Sequence, residues 1–247
     1  MSQVSESSVA AIDALAKLTL SLRVVGVRDD GYHLLDAEMV TIDLADRLEF
    51  SAGNGLSIVG EWANDVSAGP DNLVRRALAA VGRRATVRLV KRIPPGGGLG
   101  GGSADAAAVL RWAGCLDLGV AVQLGADVPF CLVGGRARVS GAGEAVEGLP
   151  WEPAAGRVYT LLTPPFGVST ASVYRAWDDL GGPIGVGPND LEPAALVVEP
   201  RLIEWRDRLR AATAQTPVLA GSGSTWFVEG SYPGEGRLVV RVARPGD

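Results

Sequence analysis

Apolar and polar residues alternate through Ala16–Val25 and again through Ala37–Phe50, the period of two that sends successive side chains to opposite faces of a strand. The polar Arg28-Asp-Asp-Gly31 between them reads as a turn, so the two runs form a hairpin or a strand connection. After Pro70 the period changes: Asp71 stands as a cap before Asn72-Leu-Val-Arg-Arg-Ala-Leu-Ala-Ala80, a run of helix formers. Alternation returns in Thr86–Ile93, and an alanine-rich helix opening at Ser103 follows. Next comes Leu124–Gly135, in which Asp127 precedes a valine pushed toward extended backbone by Pro129; a hairpin from Ala137 to Val146 follows. The pattern breaks at Pro150–Ala155, which divides the chain into domains 1–150 and 151–247. In the second part Val158–Thr163 reads as a strand, Ser169–Asp178 and Pro200–Ala212 as helices, Val218–Glu229 as a glycine-interrupted strand pair and Arg237–Ala243 as a last strand.

Between the strand at Thr86 and the alanine-rich helix lies Pro94-Pro95-Gly96-Gly97-Gly98-Leu99-Gly100-Gly101-Gly102-Ser103. Six glycines around Leu99 remove the Cβ atoms that would hold an anion off the backbone and permit the turns that aim successive N–H groups inward. The helix that follows brings unpaired amides and the positive end of its dipole, so strand, loop and helix together form a phosphate site suited to a di- or triphosphate. A linker would lack these periodic flanks. A Walker A loop needs Lys before its Ser or Thr, and Gly102 stands there; a dinucleotide fold needs an acid ending the second strand, and Asp117 lies instead in a Gly-bounded turn.

Length and charge narrow the class further. A chain of 247 residues with net charge −5 has ample core material and no basic surplus for nucleic acid, so phosphate affinity is local to the loop. No apolar stretch approaches the roughly 20 residues that span a bilayer, and the N-terminus lacks a basic segment followed by an apolar one, so no membrane association and a cytoplasmic location are expected. Cys115 and Cys131 both lie in apolar sequence and are expected as buried free thiols; the lone His33 cannot support a histidine-rich metal site.

Three more segments carry chemistry. Lys17 in Ala16-Lys17-Leu18-Thr19-Leu20 must either snorkel to solvent or hold its ammonium against a partner. Asp127 in Gly125-Ala-Asp-Val-Pro129 is either a turn cap or a placed carboxylate. Leu219-Ala-Gly221-Ser222-Gly223-Ser224 is a second small-residue loop, either a bulge or a wall against phosphates.

Taken in order, these segments resemble the three motifs of the GHMP small-molecule kinases, the superfamily of galactokinase, homoserine kinase and mevalonate kinase. Asp30-Gly-Tyr-His-Leu34, Leu124–Phe130 and Val168-Ser-Thr-Ala-Ser-Val-Tyr174 resemble, within it, the branch that phosphorylates a cytidine-diphosphate sugar alcohol on its 2-hydroxyl in non-mevalonate isoprenoid synthesis. The resemblance implies an α+β fold of two domains, ribosomal protein S5 domain 2-like and then ferredoxin-like, with ATP and Mg²⁺ as cofactors and a monomer or weak homodimer as the working form. It implies Lys17 and Asp127 as catalytic residues, Asp127 as base. It gives the nucleotide to Pro94, Pro95, Gly96, Gly97, Gly98, Leu99, Gly100, Gly101, Gly102, Ser103, Ala104 and Asn72, and a metal contact to Ser103. Substrate falls to Thr19, Tyr32, His33, Tyr174, Gly221 and Ser222, the two tyrosines sandwiching cytosine and His33 meeting the base edge through its backbone or ring. Asn189-Asp190 resembles the start of a helix in the second domain, capped by either residue. Three departures carry consequences: Thr19 stands where the family has Asn and has a shorter reach; Ala104-Asp105 replaces Ser-Asn, with Asp105 expected to point away from the loop; and the segment between Trp112 and Leu124 is too short for the extra helix expected there. Another alcohol kinase of the superfamily would share Lys17, Asp127 and the glycine loop without needing Tyr32, His33 and Tyr174 together; a nucleotide-binding homologue with little catalysis would bind ATP without turnover.

Overall fold

The computed structural model describes residues 10–152, 154–182 and 187–244. Residues 1–9, where a leader was looked for, and Pro153 in the expected boundary lie outside the described residues. Strands β1 (Ala10–Val27) and β2 (His33–Ser51) form one long antiparallel hairpin, starting six residues earlier than the alternation suggested. Its register shifts between Leu15 and Lys17, Thr19 and Ser21, and Val24 and Gly26. Such bulges break alternation locally, and the four consecutive residues Ala16–Thr19 are buried as a result. Ala16 and Leu18 belong to the core, while the Lys17 side chain lies against Gly100 of the glycine loop.

Strand β3 (Gly55–Gly60), helix α1 (Leu73–Ala80) and strand β4 (Thr86–Lys91) make a parallel crossover unit, with β3 paired to β4. The cap of α1 is Asn72, whose Oδ1 accepts from Val74 N at 2.9 Å, and not Asp71. Helix α2 (Gly101–Trp112) begins two residues before Ser103, after Gly100 in the left-handed conformation. It is buried almost all round, which its alanines permit by letting neighbouring backbones close in. Helix α3 (Leu118–Leu124) occupies the segment expected to hold none, because Asp117 accepts from Gly119 N and caps it. Helix α4 (Val128–Val133) overrides the extended preference before proline, since Pro129 falls in the first turn, where its missing N–H has no partner to lose. Strands β5 (Arg136–Gly141) and β6 (Ala145–Gly148) complete a six-stranded sheet in the order β3-β4-β2-β5-β6, with β1 on the other edge of β2.

The second sheet contains β7 (Val158–Leu162), β8 (Val218–Leu219), β9 (Trp226–Glu229) and β10 (Arg237–Arg241) in the antiparallel order β10-β7-β9-β8, the strand order of a ferredoxin-like sheet. Helices α5 (Thr170–Asp179), α6 (Glu192–Val198) and α7 (Leu202–Thr213) lie between β7 and β8, whereas β9 runs to β10 through residues 230–236 with no helix. The sheets are tied in two places. Val242 bridges Ile42, and Ala243 N donates to Thr41 O at 3.0 Å. Leu22 bridges Asn189, with Asp190 N donating to Leu22 O at 3.0 Å. Neither Asn189 nor Asp190 caps α6: the Asn189 amide donates to Leu219 O and Gly221 O, and Asp190 accepts from Arg23 and from Val24 N. Among the described residues no helix is long and apolar enough to cross a membrane. Cys131 is buried and Cys115 half-buried, both free thiols.

Candidate active site

A cleft of about 960 Å³ runs from Ser67 and Asn72, past the glycine loop, to Tyr32, His33 and Tyr174, and the first sheet, α5 and the loop after β8 contribute to its walls. The loop is anchored by its carbonyls. Gly96 O accepts from Val168 N and Ser224 N, Gly97 O from Thr225 N and Leu99 O from Lys17 N. No backbone carbonyl among the described residues accepts from the amides of 98–103, which leaves a row of donors along the cleft at the N-terminus of α2. Two glycines are sterically required. A Cβ on Gly98 would stand 2.1 Å from Ala220 O, and one on Gly100 2.8 Å from Lys17 Cγ, both at positive φ. Ala104 belongs to the core instead: it is fully buried, does not line the cleft, and its N–H donates to Gly100 O at 2.8 Å.

Lys17, 4% exposed, does not snorkel. Its ammonium donates to Thr19 Oγ1 at 3.0 Å and lies 3.4 Å from Asp127 Oδ2, so the bulged strand and the start of α4 bring cation and carboxylate together beside the loop. Asp127 makes no side-chain capping bond and is free for chemistry. Its field reaches its neighbours: burial first and Asp127 second push the Tyr174 phenol above its ordinary range, and the same two causes push the Cys131 thiol up to about 12. Thr19, expected against substrate, is 2% exposed and does not line the cleft; it holds Lys17 from behind. Ser103 lines the cleft at the first turn of α2. Gly221 packs on Lys17, a Cβ there standing 3.4 Å from Nζ, and Ser222 shares a hydrogen bond of 2.8 Å with Thr170. The small-residue loop is therefore a wall of the cleft.

At the far end His33 packs on Tyr174 with ring centroids 4.6 Å apart and meets Trp177 edge-on at 5.5 Å. Tyr32 stands at the rim, 63% exposed, with Arg28 above its ring. Val27 and His33 face each other as a non-hydrogen-bonded pair, because Arg28 N donates to Tyr32 O one residue further on. The N–H and C=O of His33 therefore point away from β1, just beyond the end of β5, whose pairing starts at Leu35. Asn72 lines the opposite end, but its amide is committed locally, to Val74 N and Ser67 O, so it shapes that loop.

Sequence reasoning missed the ion network beneath the loop. Lys91, buried below Gly101, donates to Asp46 and, at 2.8 Å, to Asp105, while Asp46 also accepts from Arg92 N and Ile93 N. Asp105, expected to point away from the loop, is buried against Lys91 and borders the floor of the cleft. Burial, opposed by Lys91 and aided by repulsion from Asp46, raises its carboxyl to about 7, and Asp105 Oδ1 has no hydrogen-bond partner among the described residues. Also missed were Arg175 and Asp178, which line the cleft with Ala171 and Tyr174 as one face of α5. Their spacing of three and four residues was the available signal.

A row of amides sized for phosphates, a lysine–aspartate pair beside it and an aromatic end wall across the cleft define an ATP-using small-molecule kinase of the GHMP type, and residues 72–135 match the GHMP kinases N terminal domain. A 4-diphosphocytidyl-2-C-methyl-D-erythritol kinase from Pelotomaculum thermopropionicum is 42% identical, with 87% of this chain and 86% of that protein aligned. The kinase of the same name from Ruegeria pomeroyi is 38% identical over 94% of this chain and 95% of its own. The chain belongs to the 4-diphosphocytidyl-2-C-methyl-D-erythritol kinase family. A crystal structure of a 4-(cytidine 5'-diphospho)-2C-methyl-D-erythritol kinase superposes with a TM-score of 0.68 at 34% identity, covering 88% of this chain and 89% of that one. The homoserine kinase of Cytophaga hutchinsonii shares the fold, with a TM-score of 0.61 at 20% identity over 99% of this chain and 98% of that one.

Proposed function

We propose that this cleft transfers the γ-phosphoryl group of ATP to the 2-hydroxyl of 4-diphosphocytidyl-2-C-methyl-D-erythritol. The observation that carries the reading is the Asp127 carboxylate held 3.4 Å from the Lys17 ammonium beside the row of loop amides. Phosphoryl transfer asks little covalent work of a protein but needs in-line placement, charge neutralisation and an acceptor for the alcohol proton. The amides of 98–103 hold the β- and γ-phosphates, and Ser67 to Asn72 frame the nucleoside. Asp127 accepts the 2-hydroxyl proton as the alcohol oxygen bonds to the γ-phosphorus and the bond to the β-phosphate oxygen breaks, leaving ADP. Lys17, fixed by Thr19 and paired with Asp127, stabilises negative charge developing on the attacking oxygen. At the other end cytosine lies against Tyr32 and Tyr174, with the His33 N–H and C=O toward its edge.

Among the described residues no three His, Cys, Asp or Glu converge on a metal. The donor set here, one hydroxyl at Ser103 beside free amides, fits Mg²⁺, which takes most ligands from phosphate and water. Ser103 would be the residue to hold the ion, which would supply neutralisation of phosphate charge. The working form in this reading is a monomer or weak homodimer with domains 1–150 and 151–247, placed in the cytoplasm with its ATP.

The test is ADP release with Mg-ATP and the cytidyl substrate beside mevalonate, phosphomevalonate, homoserine and galactose. Turnover confined to the cytidyl substrate is expected, with Asp127→Asn lowering kcat by about 10²–10⁴-fold while ATP still binds. Turnover of another alcohol moves the assignment within the superfamily, and ATP binding without turnover defeats it.

A further inference from the structure

The end wall of the cleft contains a carboxylate that the proposed mechanism does not use. Asp178 lies on the cleft face of α5, one turn beyond Tyr174, and lines the same cavity. Its Oδ1 is 2.8 Å from His33 Nε2, joining two residues 145 positions apart across the cleft. A carboxylate offers only acceptors, so in this contact His33 Nε2 donates and Asp178 accepts. Its other oxygen has no hydrogen-bond partner among the described residues, and the side chain is 49% exposed. Arg175, the nearest cation along α5, is turned to Ser172 Oγ at 3.2 Å. The end wall thus presents a stacking surface, one ring held by a hydrogen bond and an unused carboxylate oxygen.

Resting on the reading of the cleft as a site for a cytidine-diphosphate alcohol, we infer that Asp178 is a specificity-determining residue, whose free oxygen accepts a hydrogen from the exocyclic amino group of cytosine. Stacking on Tyr174 cannot tell pyrimidines apart, because every base offers a π-face. The 4-position can. Cytosine presents an amino group with two hydrogens there, and uracil presents a carbonyl oxygen. If one amino hydrogen meets the His33 C=O, the second needs an acceptor further along the wall, where Asp178 stands. In the uridine analogue a carbonyl would face a carboxylate, leaving two acceptors opposed and unpaired, and sites that bond a substrate group reject analogues lacking it more strongly than apolar pockets do.

The test compares kcat/KM for the cytidyl substrate and its uridyl analogue in the wild-type enzyme, Asp178→Asn and Asp178→Ala. Isothermal titration of CDP and UDP, with a non-hydrolysable ATP analogue filling the loop, gives the same comparison without turnover. Wild type is expected to prefer cytidine strongly. Asp178→Asn, whose amide can also donate to a carbonyl, should cut the cytidine-to-uridine ratio by about ten- to a hundredfold, through KM more than kcat. The KM for ATP should stay unchanged. Equal losses on both nucleotides in both variants, with the ratio unaltered, would reduce Asp178 to a prop for His33 and overturn the inference alone. A wild-type enzyme that turns over neither nucleotide would overturn the reading of the cleft and this inference with it.

Discussion

Single atoms decide most of what the loop does. Gly98 and Gly114 have nearly the same backbone, at φ of +76° and +73°, but a Cβ at Gly98 meets Ala220 O at 2.1 Å and one at Gly114 meets nothing within 4 Å. Gly114→Ala should therefore show conformational strain alone, about 1 kcal/mol, and Gly98→Ala that strain plus a clash, at least about 2 kcal/mol, both read from urea unfolding midpoints. An equal loss at both positions would mean that crowding by Ala220 is unimportant. Thr19 supports a second prediction. Thr19→Val keeps the shape and removes the acceptor that holds Lys17 Nζ at 3.0 Å, so kcat should fall about tenfold while the Kd for ATP, measured by titration, holds. A rise in the KM of the cytidyl substrate at constant kcat would instead put Thr19 against substrate, the role its motif position suggests.

Elements bring buried charge to the loop as well as shape. Strand β2 supplies Asp46, β4 supplies Lys91 and α2 supplies Asp105, all buried. The Asp105 carboxyl is raised from 3.8 to about 7 by burial, so over that interval the native state holds a proton that the unfolded chain has released. Stability from this group is complete below the unfolded value and declines as pH rises through the folded one. The wild-type thermal midpoint, compared with that of Asp105→Asn, should therefore drop progressively between about pH 4 and pH 7, and parallel curves would refute the shift. Elements were unevenly legible in the sequence. Long alternating runs and the alanine-rich helix carried their own signals, and so did the glycine loop, whose composition is its mechanism. Strand β3 did not, because a six-residue edge strand with half-buried positions and glycines at both ends has little periodicity. Helix α3 depends on an Asp117 cap that looked like part of a turn, and the true role of Asn189 depends on carbonyls thirty residues away. The Lys17–Asp127 contact joins positions 110 residues apart and came from family likeness, since no local pattern encodes it.

At the scale of the whole molecule the cleft exists because two sheets are held in one arrangement. Asn189, 2% exposed, donates to Leu219 O and Gly221 O and accepts from Leu191 N, beside the bridge to Leu22. Asn189→Ala strands these groups and should cost about 2 kcal/mol or more in urea unfolding. It should also raise KM for ATP and alcohol together, since the Gly221 wall faces Lys17; a loss of stability with both KM values intact would confine Asn189 to folding. The anchoring of the loop has a consequence for the order in which the protein is made. Leu99 O is held by the earlier Lys17 N, but the carbonyls of Gly96 and Gly97 are held by amides of residues 168, 224 and 225, so the strand, loop and first turn of α2 leave the ribosome well before those anchors are made. A nascent chain halted before Gly223 would carry the whole nucleotide motif yet lack the Ser224 and Thr225 amides that complete its anchoring, and full competence to capture ATP would arrive only with the last strands.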